Sequence, residues 1–168
     1  MTRTQIRVRA RSAEDEPAVL ALLEHVHATD GYPVHFPGAR EFLLPPYEVA
    51  AWVAERHGEI VGHVALHHDE AAEALAATCA ATGLLPHETL TVSRLFVAPS
   101  ARRRGVAQAL LAHATIDAQR RGGRPILDVV KGFDAAVRLY ERAGWTRSAR
   151  SRGSSRTGRR WLYVFERS

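Results

Sequence analysis

Residues 95–111 read LFVAPSARRRGVAQALL, and this stretch decides the fold. An apolar, strand-like run ends at Pro99, a short basic turn follows, and a helical pattern begins with Gly105 and Ala107 spaced two residues apart. The first turn of a helix has backbone N–H groups without intrahelical partners, and its dipole adds partial positive charge. Because small residues let an anion approach those groups closely, the stretch predicts a phosphate-binding site.

The basic turn strengthens this prediction, because Arg102, Arg103 and Arg104 add charge-assisted hydrogen-bond donors. Other phosphate loops do not fit. The sequence has no Gly-x-x-x-x-Gly-Lys-Ser/Thr motif, and no Gly-x-Gly-x-x-Gly follows the first predicted strand, so a P-loop and a Rossmann fold are excluded. The alternative is a basic helix start that packs small residues and binds nothing.

Strands and helices alternate on both sides of this stretch. Apolar residues at period two or in short runs predict strands, and apolar residues at helical spacing predict helices. No repeat or linker interrupts them, so residues 1–168 are expected to form one mixed α/β domain, with a mixed sheet of about six to seven strands flanked by helices. Predicted strands span 5–10, 49–55, 60–67, 90–97, 126–130, 145–150 and 161–165; predicted helices span 12–26, 39–43, 69–82, 101–121 and 134–143.

The composition is that of a globular protein, with 46% hydrophobic and 24% charged residues. The net charge of +5 is concentrated at 102–104 and 147–160, which indicates an anionic partner. A phosphate-rich small molecule satisfies this charge as well as a nucleic acid does. The sequence lacks aromatic residues among the basic ones and any recognisable groove-reading helix, which argues against nucleic acid.

The cysteine content and the apolar runs of the sequence indicate the cellular compartment of the protein. The single cysteine, Cys79, excludes an intramolecular disulfide and is expected to be a small buried residue. No apolar run reaches the roughly 20 residues of a membrane span. The first residues contain no apolar signal core. We therefore expect a cytoplasmic protein without membrane contact.

Two motifs identify a family resemblance. The pattern Arg102-x-x-Gly105-x-Ala107 matches the Arg/Gln-x-x-Gly-x-Gly/Ala signature of the GNAT superfamily of N-acetyltransferases. The helix 136–145, Ala-x-x-Leu-Tyr-Glu-x-x-Gly-Trp, resembles the superfamily's Ala-x-x-Leu-Tyr-x-x-x-Gly-Phe helix. The order of elements also resembles that fold from Gln5 to the end of the chain.

The resemblance implies how a cofactor binds. The strands 90–97 and 126–130 should splay apart, with the pantetheine of acetyl-CoA bonded to main-chain groups in the opening. The amides of 103–107 should hold the pyrophosphate. Phe133 stands where the family often has Asn, so that contact is expected to be lost, or replaced by Asp134 or Lys131. The implied cofactor-binding residues are Leu95, Phe96, Val97, Arg102, Arg103, Arg104, Gly105, Val106, Ala107, Phe133 and Ala136.

The resemblance also implies a reaction, the transfer of an acetyl group to a primary amine by direct attack. Tyr140 is expected to be the acid that protonates the departing thiolate. The base stays open, because Thr91 occupies the position where some members have Glu. Strand alternation places His87 and Ser93 on the face of Thr91 but not Glu88. The candidate bases are His87, Glu88, Ser93 acting through a water molecule, and the strand residues His63 and His67.

The acceptor is expected to enter over the loop 30–46 and the segment 69–88. In the loop, Asp30, Tyr32, His35 and Phe36 can line a pocket, and Asp30 or Glu41 can attract an ammonium. A metal site is not expected, because a strand places His67 and His68, next to Asp69, on opposite faces. Family resemblance leads us to expect a homodimer. The rival function is a non-catalytic regulatory module that binds an acyl-CoA or a nucleic acid.

Overall fold

The structure is a computed structural model that describes residues 5–33, 36, 38–68, 76, 79–80, 82–130, 133–151 and 160–165. Within these ranges the strands are β1 (Arg7–Ala10), β2 (Glu48–Arg56), β3 (Glu59–His67), β4 (Thr89–Val97), β5 (Arg124–Val130), β6 (Trp145–Ser151) and β7 (Arg160–Phe165). The α-helices are α1 (Glu16–Asp30), α2 (Ala39–Leu43), α3 (Val106–Arg120) and α4 (Asp134–Arg142). The predicted helix over 69–82 lies mostly outside the described residues.

The seven strands form one mixed sheet in the order β1-β2-β3-β4-β5-β7-β6. β1 pairs with β2, β5 with β7, and β6 with β7, all antiparallel. β4 and β5 are parallel. Each strand agrees with a predicted one to within two residues at either end. The mixed sheet with helices between its strands confirms the predicted fold class.

The ladder between β4 and β5 is short. It joins Thr89 to Arg124, Leu90 to Pro125 and Thr91 to Ile126, which are the first residues of both strands. In a parallel pair, hydrogen bonds hold the two strands side by side only along the residues that the ladder joins. A ladder confined to the strand starts is what the predicted divergence of these two strands requires.

The chain divides into two compact units, residues 1–65 with 94–114 and residues 66–93 with 115–168. The core of the first unit contains the apolar stripe predicted for α1, since Val19, Leu23 and Val26 are all buried. They pack with Leu43, Val53 and Phe96. In the second unit the buried residues include Leu90, Ala118, Ile126, Leu127 and Trp145.

The helix after β4 begins later than predicted. Pro99–Ala101 forms a 3-10 turn, and α3 starts only at Val106, so the basic residues 102–104 lie in a turn and not in the helix. Ile116 of this helix is 49% exposed. It lies ten residues after Val106, which places it about 280° around a helix of 3.6 residues per turn and away from the buried side.

Candidate active site

The turn between β4 and α3 has an irregular backbone. Arg103 and Gly105 both have left-handed conformations, with φ of +61° and +80°. The carbonyl of Gly105 accepts the N–H of Ala109 at 3.0 Å, so Gly105 caps the helix and the amides after it have no i−4 carbonyl within α3. Left-handed residues before a helix start occur in anion-binding nests.

Gly105 has a second reason to be glycine besides the predicted one. A Cβ atom added there would meet no atom within 4 Å, so the space in front of the turn is open. Its φ of +80° is unfavourable for residues with a side chain. The glycine therefore also serves the backbone conformation of the turn.

The start of α3 is fixed by close packing on β3. A Cβ atom on Gly62 would lie 2.8 Å from Cδ1 of Leu110 and 3.0 Å from Cγ1 of Val106. The N–H of Ala98 also donates to the carbonyl of Val61 at 2.8 Å. Sequence reasoning missed Gly62, although a glycine inside a strand often marks close approach of another element.

The side chain of Arg102 is engaged within the protein. Its Nε and Nη2 atoms donate to the carbonyl of Val97 at 3.3 and 3.2 Å, and Nη2 also pairs with the carboxylate of Asp30. Arg103 and Arg104 are exposed. The amides of the turn and these two side chains are therefore the groups most open to an anion.

The predicted acceptor residues differ in how well they suit that role. The Tyr32 ring lies 6.3 Å from that of Phe96 on β4, and Phe36 packs on His27 at 4.1 Å. Both are half-buried. Asp30 pairs with Arg102, so its charge is already balanced. Glu41 lies on α2, and His35 falls outside the described residues.

A buried cation on β4 escaped the sequence analysis. Arg94 is only 5% exposed and has a left-handed backbone with φ of +51°. Its Nε donates to the carbonyl of Phe42 at 2.5 Å, and its guanidinium carbon lies 4.7 Å from the centre of the Phe42 ring. The signal was present in the sequence, since Arg94 shares its strand face with the apolar residues Val92 and Phe96.

His63 on β3 is fixed as a neutral imidazole. Arg11 Nη1 lies 2.9 Å from Nε2, and the Arg94 carbonyl lies 2.9 Å from Nδ1. Because arginine only donates, Nε2 must accept and Nδ1 must carry the proton. Arg11 is in turn held by both carboxylate oxygens of Glu48, at 2.5 and 3.2 Å. With its lone pair occupied, His63 fits a structural role better than that of a base.

The other base candidates occupy different local structures. His87 and Glu88 lie in a 3-10 turn, Pro86–Glu88, because β4 begins only at Thr89. The strand-alternation argument is therefore wrong for both and holds only for Ser93 and Thr91. The carboxylate of Glu88 accepts the N–H of Leu85 at 2.6 Å, and His87 is exposed. Ser93 is half-buried and His67 is fully buried.

Tyr140 lies on α4 with its ring 6.4 Å from that of Trp145. Burial raises the pKa of its phenol, and the negative charge of Asp128 raises it further. The phenol therefore stays protonated near neutral pH. Phe133 precedes the helix and its carbonyl accepts the N–H of Val137 at 3.2 Å; Ala136 is half-buried. Asp134 is exposed in the first turn, and Lys131 lies outside the described residues.

The described part of the chain contains no group of three or more His, Cys, Asp or Glu residues able to hold a metal ion. None of its helices has the length and apolar character of a membrane span. Cys79 is half-buried rather than buried as predicted. The predicted basic hairpin tip, 153–158, and Asp69 fall outside the described residues.

Comparison with known proteins identifies the family. The model of the acetyltransferase (GNAT) family matches residues 19–145, and the chain belongs to this family. No curated protein matches the chain.

Solved structures show the same fold. The ribosomal-protein-S18-alanine N-acetyltransferase of Escherichia coli has a TM-score of 0.67 at 17% identity, covering 98% of this chain and 96% of that one. Arabidopsis thaliana NAA60 in complex with acetyl-CoA has a TM-score of 0.68 at 19% identity, covering 96% and 98%. YncA of Salmonella typhimurium, solved with its cofactor acetyl-CoA, has a TM-score of 0.67 at 17% identity, covering 95% and 91%.

Proposed function

We propose that residues 1–168 form one acetyltransferase domain that transfers the acetyl group of acetyl-CoA to a primary amine of a small molecule or peptide. The observation that carries the proposal is the turn at 102–105, where left-handed residues and open space precede the first amides of α3, which have no partner within that helix. Two structures of similar fold, NAA60 and YncA, contain acetyl-CoA.

In this proposal the amides of 103–107 hold the pyrophosphate, and the exposed Arg103 and Arg104 add charge. Main-chain groups of Leu95, Phe96 and Val97 bond the pantetheine. Phe133 and Ala136 contact the cofactor through the start of α4.

The reaction is a direct attack. The neutral amine nitrogen forms a bond to the thioester carbonyl carbon, and the carbon–sulfur bond breaks. Tyr140 gives its phenolic proton to the departing thiolate; because burial raises the pKa of this phenol, the proton that the step needs is present on the phenol at neutral pH. The proton of the amine leaves through water held by Ser93 or through His87 or Glu88. His87 and Glu88 carry this role only if the substrate reaches the 3-10 turn at the start of β4.

The acceptor is an amine that fits against Tyr32 and Phe36. The Escherichia coli neighbour acts on the alanine of ribosomal protein S18, so a peptide amine belongs in any panel of acceptors. We also propose that the protein is cytoplasmic and forms a homodimer. Sedimentation velocity of the purified chain measures its oligomeric state and so tests the second part of this proposal.

Calorimetry with acetyl-CoA in moderate salt tests the function. We expect one site per chain, and binding must persist when nonspecific charge attraction is screened. A failure to bind acetyl-CoA overturns the proposal. Thiol release with amino acids, polyamines, aminoglycosides and peptides as acceptors then identifies the substrate class. Acetyl-CoA binding without thiol release from any acceptor favours the non-catalytic module.

A further inference from the structure

The last residue of α1 is an acid. Asp30 ends a helix of 15 residues, and the N–H of Gly31 closes the helix on the carbonyl of His27 at 2.8 Å. The C-terminal end of a helix carries partial negative charge, so a carboxylate there is unfavourable unless a cation lies close. Arg102 supplies that cation, and it comes from the turn that precedes α3.

Arg102 makes three hydrogen bonds to two groups. Its guanidinium bonds twice to the carbonyl of Val97, at the end of β4, and pairs with Asp30. The pair therefore fastens the first residue of the phosphate-binding turn to the strand end behind it and to the end of α1. Gly31 and Tyr32, which follow Asp30 directly, belong to the segment 30–46 that is expected to receive the acceptor.

We propose that Asp30 and Arg102 form a positioning pair. Asp30 acts through Arg102 to hold the turn in its anion-binding form, and the Arg102 side chain is not itself a phosphate ligand. The inference rests on the proposed function, since it concerns the same acetyl-CoA site. It also replaces the predicted role of Asp30 in attracting a substrate ammonium with one on the cofactor side.

Arg102 either positions the turn or binds phosphate directly, and the effect of Asp30→Asn on the Kd for acetyl-CoA has the opposite sign in the two cases. If Arg102 positions the turn, Asp30→Asn loosens it and raises the Kd for acetyl-CoA, by about two- to fivefold on the scale of an exposed ion pair. If Arg102 binds phosphate directly, the same substitution frees a guanidinium and lowers the Kd. Calorimetry of wild type and Asp30→Asn measures this, and an equal or lower Kd in the variant overturns the inference.

Asp117→Asn is a matched control. Asp117 lies in the last turn of α3, also a helix of 15 residues, and pairs with Arg121 at 2.6 Å. Its removal takes away the same kind of ion pair near a helix C-terminus, and we expect an unchanged Kd. An equal loss of affinity in both variants shows a general effect of destabilised helix ends and also overturns the inference.

A double-mutant cycle shows whether Asp30 acts through Arg102. Glutamine also fits the family signature at position 102, so Arg102→Gln is the partner variant. We expect Asp30→Asn to add no further loss of affinity in the Arg102→Gln background, and the KM for acetyl-CoA to rise by a larger factor than kcat falls in both single variants. Independent, additive losses contradict the positioning role. A wild-type protein that does not bind acetyl-CoA refutes the proposed function instead, before any variant is compared.

Discussion

The Nδ1 atom of His63 lies 2.9 Å from the main-chain oxygen of Arg94, a residue whose backbone is left-handed within a strand. A left-handed conformation costs a residue with a side chain about 1–2 kcal/mol, so it persists only where its surroundings hold it. Here the carbonyl is held by His63 and the guanidinium by the carbonyl of Phe42. The two contacts fix the shape of β4 just before the residues proposed to bond pantetheine.

Replacing His63 by phenylalanine tests this contact. The introduced phenyl ring would retain the stacking on Phe96, now 5.1 Å between centroids, but would deprive the Arg94 carbonyl and an N–H of Arg11 of this partner. We expect the free energy of unfolding to fall by about 1–3 kcal/mol, measured by urea denaturation. The matched change His113→Phe, at an exposed position of α3, should alter stability by less than about 0.5 kcal/mol.

The backbone conformation at Gly105 predicts that substitution there lowers both the stability of the protein and its affinity for acetyl-CoA, whereas substitution of a matched glycine lowers stability alone. Gly105 and Gly122 have nearly equal φ, +80° and +79°, and an added Cβ meets no atom within 4 Å at either position. Gly105→Ala and Gly122→Ala should therefore each lower the free energy of unfolding by about 1–2 kcal/mol. Only Gly105→Ala should also weaken acetyl-CoA binding in calorimetry. Equal affinities in the two variants would remove the turn from the cofactor site.

Tyr140→Phe isolates the proposed acid. The substitution keeps the ring beside Trp145 and removes only the phenolic hydroxyl. We expect kcat to fall about a hundredfold while the Kd for acetyl-CoA changes little, because a general acid contributes in the transition state. An unchanged kcat would show that the thiolate takes its proton from elsewhere.

The raised pKa of Tyr140 adds a prediction about pH. Since the phenol stays protonated above its ordinary range, its loss of a proton should not reduce kcat between pH 7 and about pH 10, the unperturbed phenol value. Asp128→Asn removes a negative charge that raises this pKa, so any alkaline decline in kcat should begin at lower pH in the variant. Steady-state rates at saturating substrate measure the effect, and a decline centred well below pH 10 in wild type would contradict it.

The hydrogen bonds of Asp15 predict how the free energy of unfolding changes at low pH. Arg9 donates to both of its carboxylate oxygens, at 2.7 and 2.8 Å, and the N–H of Ser12 donates at 2.7 Å. The Arg9 hydrogen bonds hold the pKa of Asp15 well below its ordinary value. A depressed folded-state pKa stabilises the protein above the unfolded value, about 3.9, and that contribution is lost as the pH falls below it.

Urea unfolding between pH 3 and pH 7 measures this contribution. The decline in unfolding free energy towards pH 3 should be shallower in Asp15→Asn than in wild type, because the variant has no carboxylate to protonate. Glu14→Gln, at the exposed neighbouring position, should keep the wild-type slope. Parallel slopes in wild type and Asp15→Asn would contradict the prediction.

The strands and the turn between β4 and α3 were predictable because local pattern determines them. Alternating apolar residues define β4, and Pro99 followed by a basic run and Gly105 marks the turn. The boundaries differed where the chain forms a 3-10 turn in place of the expected regular element, as at Pro86–Glu88 and Pro99–Ala101. Such turns have no hydrophobic period of their own.

The contacts between distant residues were not predictable in the same way. Nothing in the local sequence pairs Asp30 with Arg102, which are 72 positions apart, or Arg11 with His63, which are 52 apart. Those pairs depend on how the elements pack, and they changed the interpretation of two candidate site residues. Asp30 became a partner of the basic turn, and His63 became a fixed hydrogen-bonding residue rather than a base.

Position 94 combines two demands that few residues meet together. Glycine would adopt the left-handed backbone at no cost but would leave the Phe42 carbonyl and its ring without a cation. Lysine would keep the charge but lacks the planar, branched donor group that lies over an aromatic ring while bonding a carbonyl. Valine or isoleucine would suit an ordinary strand and fail on both counts. Tolerance to substitution should therefore be far lower at Arg94 than its place in a strand suggests, and random mutagenesis of β4 should recover arginine there.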